Sequence, residues 1–85
     1  SIQVGETHKR CDAVVYNRAL QPLMLIECKA EMVPLTQKTL DQALIYNRRL
    51  RVPYLILHNG VQTIVVKVSE SGVERLANIP SFPND

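Results

Sequence analysis

The sequence predicts an α/β domain: a mixed sheet of about five strands, with one helix linking the third strand to the fourth. Three observations carry this reading. Short runs rich in β-branched and aromatic residues recur between turn residues. A single segment, from Thr36 to about Leu50, changes to a helical period. An Asn59-Gly60 pair between two apolar runs marks a hairpin.

In chain order, Ile2 to Val4 reads as a strand fragment that enters a turn at Gly5-Glu6, and Cys11 to Tyr16 reads as a second strand. Residues Asn17 to Pro22 form a turn. The third run, Leu23 to Lys29, stays apolar on both faces until its end, as a strand covered on both sides does, so it is the central strand. Thr36 is placed as a helix N-cap; with Thr39 instead of Glu or Gln three residues on, its capping box is incomplete. At 100° per residue Leu40, Ala43, Leu44, Tyr46, Asn47 and Leu50 share the face toward the sheet, opposite Lys38, Asp41, Arg48 and Arg49. Pro53 opens the fourth strand, Tyr54 to His58, and the Asn-Gly turn leads to the fifth, Thr63 to Val68. From Ser69 onward periodicity fades, so residues 69–85 are expected to form an irregular tail or linker.

A strand-helix-strand crossover gives a parallel pair and short turns give antiparallel neighbours, so the sheet is mixed. The helix covers one face only. The other face of the central strand is equally apolar, and a further element before Ser1 or a partner chain is expected to cover it. The whole chain of 85 residues is therefore read as one truncated domain with its core in residues 5–68.

Composition narrows the function classes. With 46% hydrophobic residues the chain is built to fold, and no apolar run approaches the ~18 residues of a membrane span. With no signal layout at the N-terminus, the expected compartment is the cytoplasm, with no membrane partner. A net charge of +2 does not by itself announce a nucleic-acid binder. The basic residues do fall into two knots, Lys9-Arg10 beside His8, and Arg48-Arg49 with Arg51. Cys11, Cys28, His8 and His58 fit no usual zinc spacing, and the cysteines read as small apolar residues.

The residues that point to chemistry stand where apolar runs are interrupted. Asp12 lies near the start of one strand, and Glu27 and Lys29 close the adjacent, more apolar one. Burying ionisable groups costs several kcal/mol unless they are paired, neutralised or bound to a metal. Two residues apart on a strand, Glu27 and Lys29 share a face, and a hairpin brings Asp12 alongside. Two carboxylates suit a hard divalent cation such as Mg²⁺, and an ammonium beside it offsets charge building on a phosphate under attack by water. Alone, a Glu-x-Lys is an ordinary ion pair worth about 0–1 kcal/mol. The weight lies in the combination with Asp12 and with Gln42 and Tyr46, one turn apart at the rim of the helix's buried face.

Arg10 to Tyr16, Pro22 to Ala30, Leu35 to Asn47 and Val52 to Gly60 together resemble the PD-(D/E)xK nuclease domain at the N-terminus of type I restriction enzyme R subunits. The resemblance covers Gly5 to about Val68. It implies a restriction-endonuclease-like fold whose first helix is absent here, and an Mg²⁺-dependent endonuclease, with Mn²⁺ as the alternative ion, that hydrolyses DNA. By position, Asp12 and Glu27 become metal ligands, Lys29 the catalytic lysine and the Cys28 backbone carbonyl a further ligand. Gln42 and Tyr46 match the helix motif that supports the site and meets the DNA backbone. Lys9, Arg10, Arg48 and Arg49 are the expected phosphate contacts, making affinity salt-dependent. The implied partners are DNA and the other subunits or domains of the restriction enzyme. There is no G-x-x-x-x-G-K-[ST], so this chain holds no ATP site of that kind.

Two further readings compete. One is a non-catalytic module that docks DNA or protein on the same fold, against which stand the three charges of Asp12, Glu27 and Lys29. The other is a repair or junction-resolving nuclease, from which Gln42 and Tyr46 point away.

Overall fold

A computed structural model describes residues 12–81 and, at Asp12, the backbone. Its elements run β1 (Asp12–Tyr16), β2 (Pro22–Cys28), α1 (Gln37–Leu50), β3 (Tyr54–His58), β4 (Thr63–Ser69) and β5 (Gly72–Leu76). The five strands form one sheet in the order β1-β2-β3-β4-β5. Strands β2 and β3 are parallel and the other three pairings antiparallel, which is the mixed sheet and single crossover that the sequence predicts. The expected strand at Ile2 to Val4 and the residues His8, Lys9, Arg10 and Cys11 lie outside the described residues.

The three inner strands are apolar on both faces. Leu25, Leu55, Leu57, Ile64 and Val66 point to the helix and meet Ala43, Val52 and Leu35, with Leu40, Leu44 and Leu50 around them. Each fully buried aliphatic side chain contributes about 1.5–3 kcal/mol by leaving water. Strand β1 is the outermost strand of the described sheet. Its Val14 joins the helix-side core, while Ala13, Val15 and Tyr16 are exposed, so Asp12 opens an edge strand and not a buried one.

Helix α1 begins as its residues dictate, with one correction. Thr36 caps it, and Thr39 completes the capping box that the sequence leaves open: its hydroxyl accepts from the Thr36 amide at 3.2 Å while the Thr36 hydroxyl accepts from the Thr39 amide at 3.4 Å. A threonine side chain reaches the N-cap amide as Glu or Gln does in the usual box. The helix ends at Arg51, whose backbone is left-handed (φ 58, ψ 39) and whose amide donates to the Asn47 carbonyl at 2.6 Å. Buried Asn47 locks that end, donating to the Val52 carbonyl at 3.0 Å and accepting from the Val52 amide at 2.9 Å.

A further expectation is corrected. Residues 72–76 form β5 and are not an irregular tail. A two-residue turn at Glu70-Ser71 pairs Ser69 with Gly72, whose φ of 133 favours glycine, and sets Lys67 opposite Glu74 and Val65 opposite Leu76. Four of its five residues are exposed, so the strand is held by its ladder to β4 and carries no apolar alternation. The face away from the helix is apolar, as the sequence predicts: Met24, Ile56 and Val65 are each 4% exposed, with Leu23, Ile26, Tyr54 and Leu76 packed against them. Leu76 belongs to the strand that the sequence left unassigned.

Candidate active site at the carboxyl end of the parallel strands

In an open sheet containing a parallel pair, the carboxyl ends of the parallel strands leave a crevice where their loops diverge. Here that end holds Glu27 and Cys28 of β2, Lys29 just past it, and His58 at the end of β3. The pleat explains the placement: Leu25 faces the helix-side core, so Glu27 and Lys29, two and four residues on, fall on the same face. Glu27 is 6% exposed, and its Oε2 lies 3.6 Å from the Lys29 Nζ, whose side chain is 19% exposed. In water such a pair adds little, but removing one partner of a buried pair is costly, so the two are tied energetically.

Strand β1 brings the third residue. The antiparallel register sets Asp12 directly across from Glu27, with Val14 across from Leu25, so the alternation places position 12 on the face of Glu27 and Lys29. The expected juxtaposition of positions 12, 27 and 29 is thus present in the backbone. Among the described residues no three His, Cys, Asp or Glu side chains gather at one point. Glu27 is the described carboxylate of the pair, and the Cys28 carbonyl is its neighbour along the strand.

The crossover from β2 to the helix is fastened at both ends. The Lys29 amide donates to the His58 carbonyl at 2.7 Å, continuing the parallel ladder one residue beyond the strand. Further along, the Val33 carbonyl accepts from the side chain of Asn59 at 2.8 Å, and Leu35 is buried in the helix-side core. Asn59 is itself 5% exposed and accepts through Oδ1 from the amides of Val61 and Gln62 at 3.0 and 2.7 Å. The sequence marks Asn59 only as a turn residue. Its wider role, joining the β3–β4 turn to the crossover that starts at Lys29, links positions 26 apart, so no local signal carries it. In the turn, Asn59 precedes the centre and Gly60 takes the left-handed position at φ 91.

Helix α1 runs back across the sheet, so its N-terminus lies at the same end as Glu27 and Lys29 and its C-terminus at the other. The first turn holds no acidic residue, leaving the positive end of the helix dipole toward this end uncancelled. Gln42 and Tyr46 lie further along the helix on exposed positions, Tyr46 being 53% exposed. Tyr46 is therefore not part of the buried face. Among the described residues neither side chain bonds to Glu27 or Lys29. Arg48, Arg49 and Arg51 stand at the other end of a 14-residue helix whose rise is about 20 Å. The structure does not bring this basic knot to the Glu27–Lys29 pair.

Among the described residues no helix is long and apolar enough to cross a membrane. Comparison with curated proteins and with solved structures gives no match. Over residues 1–83, however, the sequence matches the family model described as Type I restriction enzyme R protein N terminus. The match spans both the sheet and the strand-end pair, and the chain belongs to the family of type I restriction enzyme R protein N-terminal domains.

Proposed function

We propose that this domain is an Mg²⁺-dependent endonuclease that hydrolyses DNA phosphodiester bonds within a type I restriction enzyme. Membership of the R protein family gives the restriction context. The observation that carries the reading is the buried Glu27 carboxylate, with Lys29 at 3.6 Å and Asp12 opposite in the register, at the carboxyl end of the parallel strands.

The donor chemistry fits a hard cation, since the Glu27 and Asp12 carboxylates and the Cys28 backbone carbonyl are all oxygen donors. Bound there, Mg²⁺ supplies charge neutralisation and a polarised water. The residues of the chain do the rest. Glu27 and Asp12 would hold the ion from adjacent strands, where the register pairs the two positions. Lys29 keeps its ammonium on the same face, where it orients the attacking water and offsets negative charge building on the phosphate. The helix N-terminus favours an anion at the same end of the sheet. Lys9 and Arg10, three and two residues before Asp12 in the sequence, are the proposed phosphate contacts.

Calorimetric titration of Mn²⁺ into the wild type, Asp12→Ala and Glu27→Ala tests the reading without need of a partner subunit. Binding by the wild type and its loss in both variants is the expected result. A folded wild type that takes up no Mn²⁺, or variants that bind as well as it does, would overturn the site.

A further inference from the structure

We infer that the open groove at the C-terminal end of helix α1 is a docking site for a protein segment that carries an apolar side chain between carboxylates. The groove, of about 500 Å³, lies at the opposite end of the sheet from Glu27 and Lys29 and requires nothing of the proposed cleavage. The apolar part of its lining that solvent reaches is the half-buried Leu44, Pro53 and Val68, with Val52 buried beneath, and the lining also holds the exposed Arg48 and Arg51. Among the described residues no ion pair or side-chain hydrogen bond engages either guanidinium, and Glu70 is the single carboxylate of the lining. The exposed charge therefore favours an acidic occupant, and the apolar part of the lining favours one that also brings an apolar group.

A second observation singles out Arg51. It occupies the left-handed position that ends the helix (φ 58), where glycine is the residue without steric penalty. An arginine held there against the steric preference of a side chain with a Cβ points to a use for that side chain. Duplex DNA matches the groove less well. Its phosphates would meet the guanidiniums but leave the apolar part of the lining wet, whereas a segment with an apolar side chain between carboxylates satisfies both.

The test is an amide-resolved NMR titration of the full chain with a capped peptide alternating glutamate and leucine, beside a lysine–leucine peptide and a short DNA duplex. The glutamate–leucine peptide is expected to shift the amides of Val52, Val68 and Ser69, and the lysine–leucine peptide to leave them in place. Arg51→Gly separates binding from folding. Its unfolding midpoint is expected to hold or rise, because the strained residue is relieved, while affinity for the acidic peptide falls by about threefold or more. An unchanged affinity in Arg51→Gly would overturn the proposal. So would equal shifts with the lysine–leucine peptide, or stronger shifts of the same amides by DNA, which would make the groove a nucleic-acid surface.

Discussion

Replacing Asn59 tests whether the crossover that begins at Lys29 is held by one buried amide. Asn59 makes three side-chain hydrogen bonds, donating to the Val33 carbonyl and accepting from the amides of Val61 and Gln62, at 5% exposure. At a net of about 1 kcal/mol per bond, Asn59→Ala is expected to cost about 3 kcal/mol. For a domain of this size that lowers the thermal midpoint by about 12–24 °C. Asn59→Asp dissects the loss. It keeps both acceptor bonds but turns a carboxylate oxygen toward the Val33 carbonyl, so about 1–3 kcal/mol is lost at the crossover alone. Urea unfolding followed by circular dichroism, with the slope unchanged from wild type, gives both numbers. In the folded Asp variant, NMR shifts at Lys29 and Val33 should exceed those in β4. Two variants within about 0.5 kcal/mol of wild type would refute the reasoning, since no buried amide can lose these partners so cheaply.

Three other outcomes are expected. Lys29→Ala should lower plasmid cleavage by about two orders of magnitude or more in an Mg²⁺ assay, while the far-ultraviolet spectrum and Mn²⁺ binding stay close to wild type. Loss of the fold instead would move Lys29 to a structural role. Asn47→Ala should cost about 2–4 kcal/mol in urea unfolding, because the amide and carbonyl of Val52 lose their side-chain partner in a buried setting. Thr36→Ala should cost about 1 kcal/mol in the same assay, since it removes the hydroxyl that accepts from the Thr39 amide and leaves only the bond from the Thr36 amide to the Thr39 hydroxyl.

How far the site was legible follows from the range of each interaction. Glu27 and Lys29 share a face because a strand has period two, and that is readable within three residues. The register that sets Asp12 opposite Glu27 depends on a hairpin of modest length, and the apolar patterns of both strands specify it. Gln42 and Tyr46 were readable as a pair one turn apart. Their relation to the strand end depends on how the helix rotates on the sheet, and the structure leaves Tyr46 half in solvent. Asn59 was legible only as punctuation, because its decisive bond reaches back to Val33.

The sequence by itself determined the element order from β1 to β4, the parallel pairing of β2 with β3 and the apolar character of both sheet faces. These follow from period, turn chemistry and the geometry of a crossover, all local or nearly so. Only the tertiary structure decided the rest. Strand β5 exists because β4 offers a ladder and a two-residue turn returns the chain to it, although residues 72–75 bury nothing that a pattern would reveal. The two basic knots look alike along the chain, yet the second stands at the opposite end of the strands from the Glu27–Lys29 pair, because a helix that crosses over between parallel strands carries its two ends to opposite strand ends.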